Sequence, residues 1–182
     1  MTSRRAAWLF AANALGANAG WFACAWGAAS GRFWLGPAVV ALLLAFHLAV
    51  RENRSGEALL AAAALPAGWL FDSSLMAAGL VAAPGPGPVA GLSPFWLASL
   101  WVNFALTLNV SLAWLGGRPL LAALLGAVGG PMAYAAGARM GAIAFGPRPA
   151  LSLAVIGLGW AAATPLLSWA GRRIAPAPRS GG

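Results

Sequence analysis

Six apolar runs, separated by short polar or proline- and glycine-rich breaks, account for almost the whole chain. Runs of this length, nearly free of charge, predict helices that cross a membrane. The expected fold is all-α: one polytopic transmembrane bundle filling residues 1–182, with spans at about 6–29, 34–50, 58–82, 95–115, 119–145 and 150–170. The basic start MTSRR resembles the head of a signal peptide, but the apolar run behind it reaches Ala29. That is too long for a cleaved h-region, so it is read as a retained first helix. The breaks are SGRFW, RENRSGE, APGPGPVAGLSP, GGRP and a loop around Gly146–Pro149. Pro94 and Pro119 suit the first turns of the fourth and fifth helices. Gly129, Gly130 and Pro131 fall inside the fifth run, which predicts a break near 131. Residues 172–182, RRIAPAPRSGG, read as a basic flexible tail.

The fourth run, SPFWLASLWVNFALTLNVSLAWL, departs from the apolar pattern. Asn103, Thr107 and Ser111 recur every fourth residue and would share one helical stripe, with Asn109 pointing elsewhere. An unpaired polar group costs a few kcal/mol in hydrocarbon, so other helices must surround this one. The stripe either lines a polar cavity or hydrogen-bonds across helices to fix packing, and Asn13 and Asn18 on the first helix admit the same packing role. Helices three, four and five are expected to form the inner core.

Composition agrees. Apolar residues make up 61% of the chain and charged ones 8%, against about 25% charged in a soluble domain. All eleven basic residues are arginine. They lie mostly between apolar runs, where they set orientation rather than mark a nucleic-acid partner. With both termini inside, Arg4, Arg5, Arg51, Arg54, Arg118, Arg172, Arg173 and Arg179 fall on the inner side, and Arg32, Arg139 and Arg148 on the outer. That asymmetry predicts an N-in, C-in arrangement. Among the ten tryptophans, Trp34, Trp96, Trp101 and Trp114 fall near helix ends and fit an aromatic belt, whereas Trp69 is expected to lie deep.

Candidate chemistry is sparse. Asp72 lies about 21 Å along its helix from Ala58, near the bilayer midplane. An ionisable group there is a functional-site hypothesis, set against a structural ion pair or a protonated, hydrogen-bonded acid. Arg139, about 30 Å along the fifth run, is its expected partner. His47 alone makes no metal site and reads as a packed or interfacial side chain. Glu52 and Glu57, beside Arg51 and Arg54, read as solvated. The lone Cys24 reads as a small buried hydrophobe. Spacings of Gly16/Gly20, Gly27/Gly31, Gly126/Gly130 and Gly137/Gly141 fit close helix packing. No hydrolase, P-loop, zinc-protease or dinucleotide-binding spacing is present, so no catalytic residue, metal or cofactor is indicated.

Three blocks, GWFACAWGAA at 20–29, the fourth run, and GGPMAYAAGARMGA at 129–142, together resemble a bacterial family of small inner-membrane proteins known only as a domain of unknown function. With the Asp72 region the resemblance spans about residues 13–145. Such proteins are often encoded near enzymes that modify membrane fatty acids. The resemblance therefore implies an inner-membrane location and a lipid-related or envelope role, and brings no catalytic residues with it. The expected function is binding or moving a lipid or small apolar molecule through an intramembrane cavity lined by Asp72, Arg139, Asn103, Thr107, Ser111 and Tyr134. The alternatives are an enzyme or accessory subunit acting on acyl chains, with Asp72, Tyr134 and Arg139 as its acid/base set, and a scaffold for a membrane enzyme. Membrane lipids, and a lipid-modifying enzyme, are the expected partners.

Overall fold

The computed structural model describes residues 3–175. Six α-helices form an all-α bundle: α1 (Ser3–Ala29), α2 (Leu35–Val50), α3 (Arg54–Ala77), α4 (Phe95–Leu108), α5 (Pro119–Arg139) and α6 (Pro149–Ile174). A 3-10 turn, Ala113–Leu115, follows α4. Two-residue strands, β1 (Val81–Ala82) and β2 (Ala144–Phe145), pair antiparallel across the α3–α4 and α5–α6 connections. Among the described residues, α3, α5 and α6 are long and apolar enough to cross a membrane, while α2 and α4 are apolar but only 16 and 14 residues long. The exterior matches: Leu42, Leu120, Leu158 and Leu166 are more than 60% exposed.

The sequence signals at helix ends are visible in the structure. Asn53 caps α3, its side chain accepting from the Gly56 N–H at 3.0 Å. Pro119 and Pro149 open α5 and α6, where a missing N–H costs nothing. The third run stops being helical at Ala77, and α6 carries Arg172 and Arg173 in its last turn, so residues 172–174, expected in a flexible tail, are helical. Residues 176–182 lie outside the described residues.

Three expectations about the core need correction. First, α5 is one continuous helix to Arg139 with Pro131 inside it, neither broken at 131 nor extending to 145. Proline removes the donor for the Ala127 carbonyl. A Cβ on Gly157 would lie 3.1 Å from that oxygen and 3.3 Å from Pro131 Cγ, so this glycine lets α6 cover the irregular turn. Second, α5 is not in the core; it packs chiefly on α6, and few of its residues are buried. The centre is α4, with eleven of fourteen residues buried between α1, α2, α3 and α6. Third, α4 ends at Leu108 instead of running to 115. The chain can unwind there because α1 supplies the missing partners. Asn13 Nδ2 donates to the Leu106 carbonyl at 2.9 Å, and Asn13 Oδ1 accepts from the Ser111 N–H at 3.2 Å and its hydroxyl at 2.7 Å. Asn18 instead donates to Ala14 of its own helix and is exposed.

Of the four glycine spacings, Gly126/Gly130 seats the α5–α6 contact, where a Cβ at either would collide with Trp160. Gly16/Gly20 faces Leu43 and Asn103. Gly31 and Gly141, with φ of 72° and 80°, instead belong to turns that need left-handed backbone.

Candidate functional site: an aromatic groove beside a buried acid

A cavity of about 350 Å³ lies between α1 and α5, with α4 as its floor and α6 as its far wall. It exists because α1 leans on α2 and α4 while α5 leans on α6, leaving the space between them unfilled. Six aromatic side chains line it: Trp21, Trp96, Trp101, Phe104, Tyr134 and Trp160. Three of them brace one another. Trp101 stacks on Trp160 with centroids 4.6 Å apart, and Phe104 meets Trp160 edge-on at 5.0 Å. Paired rings of this kind gain about 0.5–1.5 kcal/mol beyond their burial, which favours a preformed wall. Asn18, Leu125 and Gly129 also line the cavity and are exposed, and a Cβ on Gly129 would meet nothing within 4 Å. All three sit well inside their helices, so the groove opens sideways at the apolar flank of the bundle and not only at an end.

Behind the wall is Asp72, 1% exposed. Trp101 Nε1 donates to its Oδ2 at 2.9 Å, and Tyr134 hydrogen-bonds to Oδ1. The tight α3–α4 contact that allows this depends on Gly68, where a Cβ would run into the Trp101 ring. Asp72 thus reaches the groove through Trp101 and Tyr134 and is not itself part of the lining. Arg139 is not its partner: it is exposed at the last turn of α5, and no described residue makes an ion pair with Asp72. The expectation followed charge; depth was the better guide. Tyr134 lies fifteen residues into α5, about 22 Å, which matches the depth reckoned for Asp72 from the sequence.

Of the expected lining residues, Asn103, Thr107 and Tyr134 line the groove, whereas Asp72, Arg139 and Ser111 do not. Ser111 falls past the end of α4 and is held by Asn13 instead. Asn103 Nδ2 donates to the Ala17 carbonyl at 2.8 Å, tying α4 to α1, and Thr107 donates back to Phe104 of its own helix. Three buried polar atoms on lining residues, Asn103 Oδ1, Trp160 Nε1 and Thr164 Oγ1, make no hydrogen bond to a described residue. Sequence reasoning missed Trp160, Thr164 and Phe104, whose types alone do not separate a groove wall from a lipid-facing or packed position. Trp96 and Trp101, expected in an aromatic belt, are 2% and 3% exposed, whereas Trp34 and Trp114 are largely exposed. Trp69 is half-buried and donates to the Ser93 carbonyl at 3.0 Å.

A second polar cluster sits at the end of the bundle where the α2–α3 and α4–α5 junctions meet the end of α6. Glu57, read from sequence as solvated, is 2% exposed. Its Oε1 accepts from Arg51 Nε at 2.9 Å and its Oε2 from Asn109 Nδ2 at 3.3 Å. His47 Nε2 lies 3.3 Å from Oε2 without making a hydrogen bond to it. Asn109 Nδ2 also faces the Gly171 carbonyl, so the cluster joins α2, α3, α4 and α6. Glu52 is exposed as expected. Cys24 is fully buried against Ser99. Among the described residues, no group of three or more His, Cys, Asp or Glu could hold a metal ion.

No curated protein and no solved structure matches the chain. A family model does match, over residues 10–166, and its extent covers the groove lining, the Asp72 contacts and the Glu57 contacts with His47, Arg51 and Asn109. The chain belongs to the family described as protein of unknown function DUF2878.

Proposed function

We propose that this is a multi-pass inner-membrane protein that binds or moves a lipid or small apolar molecule through the groove between α1 and α5. The supporting observation is the position of the opening. Asn18 and Gly129 stand midway along their helices and are exposed, so a bilayer-soluble molecule could enter sideways without crossing water. In this reading all six helices span, with both termini inside. Positively charged segments favour the cytoplasmic side, and arginines crowd the end that holds the Glu57 cluster. Short α4, about 21 Å by its rise, is acceptable because irregular backbone at membrane depth is tolerated when protein surrounds it. A cavity of this volume falls in the range used for drug-sized ligands, and its wall is largely preformed.

The test is purification in a mild detergent followed by mass spectrometry of what stays bound. Wild type should retain an apolar ligand at near-stoichiometric amounts, and Gly129→Trp, which fills open space, should lose it while melting normally. Equal retention by both proteins, or none by either, counts against the groove. A reporter fusion placing the C-terminus outside would overturn the orientation.

A further inference from the structure

The groove has a chemical sign. Its wall carries six aromatic rings, and behind two of them stands a carboxyl group without a counter-ion among the described residues. The arginines that could have served are elsewhere: Arg51 is engaged with Glu57, and Arg139 is exposed at the end of α5. Among the described residues, only Trp101 and Tyr134 hydrogen-bond to Asp72, and neither carries a positive charge. A buried carboxylate without compensation costs several kcal/mol. It must be neutralised by a proton or by positive charge that arrives with something else. Acids inside membrane bundles commonly serve as counter-ions for ligands. Tryptophan and tyrosine faces attract organic cations, and clusters of such rings recognise quaternary ammonium groups.

Accepting the groove as a ligand site, we infer that its ligand is a lipophilic organic cation, an amine or quaternary ammonium with an apolar body, for which Asp72 is the counter-ion behind Trp101 and Tyr134. The apolar body enters through the flank at Gly129 and Asn18. The charged group settles against Trp101, Trp160 and Tyr134, where the carboxylate field is strongest and no fixed cation opposes it. A proton and the ligand then compete for one acid.

The experiment uses the full chain in uncharged maltoside micelles and two probes, a dodecyl chain ending in trimethylammonium and its neutral twin ending in tert-butyl. Binding is read from tryptophan emission, with empty micelles subtracted. The cation should bind at least about tenfold more tightly than the twin. Asp72→Asn should abolish that preference while leaving the twin's affinity unchanged. Should this variant not fold, a pH series on wild type decides. Affinity for the cation should rise with pH, by up to about tenfold per unit while one proton is displaced, and the twin's should stay flat. Equal binding of the two probes, or a cation affinity indifferent to pH, overturns the inference and leaves the groove intact as an apolar site. A retained neutral lipid with neither probe bound also overturns it. Failure of both probes together with no retained ligand removes the groove reading itself.

Discussion

Glu57 and Asp72 stand on the same helix, fifteen residues apart, and are equally hidden at 2% and 1% exposure. They solve the problem of a buried acid in opposite ways. Glu57 is surrounded by Arg51, His47 and Asn109, and its cluster ties four helices together at one end of the bundle. The carboxylate's charge is matched within the chain by Arg51, which is the pattern of a staple. Asp72 has two neutral partners and an aromatic groove next to them. Its demand is met only in part, which is the pattern of a site. Burial is nearly the same in the two places and both side chains are carboxylic acids; what separates them is whether the surroundings complete the charge.

Breaking the staple should cost the most. Glu57→Gln leaves the Arg51 guanidinium facing a neutral amide; removal of one partner from a fully buried ion pair costs about 3–5 kcal/mol, and the partial exposure of Arg51 lowers this to about 2–3 kcal/mol. Thermal melts in detergent should show a large loss, whereas Glu52→Gln, at an exposed position, should stay within about 0.5 kcal/mol of wild type. Next come two adjacent glycines. Gly130→Ala drives a methyl into Trp160 and should cost about 1–3 kcal/mol. Gly129→Trp enters open space and should change stability little while removing ligand. If both variants melted alike, the groove would not be open as described.

Asp72→Asn should destabilise less than Glu57→Gln, by about 1–2 kcal/mol, because no charged partner is stranded and one hydrogen bond is weakened. Its larger effect should be on ligand. A reversed ranking of these two acids in melting experiments would undo the contrast between staple and site. A loss similar to that of Asp72→Asn is expected at Asn13→Ala, where the end of α4 loses its partners in α1. Interhelical hydrogen bonds in membranes contribute about 0.6 kcal/mol on average and up to about 1.7, so a loss near the upper figure fits three bonds to one side chain.

Much of the architecture is legible in the sequence because apolar run length and proline–glycine breaks act locally. All six helices fall where the runs do, and the 83–94 stretch is irregular as its prolines dictate. The misreadings share one physical cause, partners far along the chain. The unwinding after Leu108 depends on Asn13, more than ninety residues away. Glu57 looks solvated beside RENRS because that run does not show that Asn109 and the end of α6 will cover it. Asp72 was legible as the buried acid, but its partner was not Arg139. Charge matching ranks arginine first, whereas depth within the bundle selects Tyr134, the chain's single tyrosine. Trp96 and Trp101 show the same limit: position near a helix end does not say which way a ring points.

The central claim is that an apolar ligand occupies the space between α1 and α5, and photo-crosslinking tests it where it stands. A lipid analogue with a light-activated group on its apolar tail is incorporated into membranes holding the full-length protein, and modified residues are mapped by mass spectrometry. The account predicts labelling concentrated on groove residues such as Ala133, Gly129, Phe104 and Trp160, and displaced in Gly129→Trp. Labelling spread over the outward leucines, Leu42, Leu158 and Leu166, with no enrichment in the groove, would contradict it.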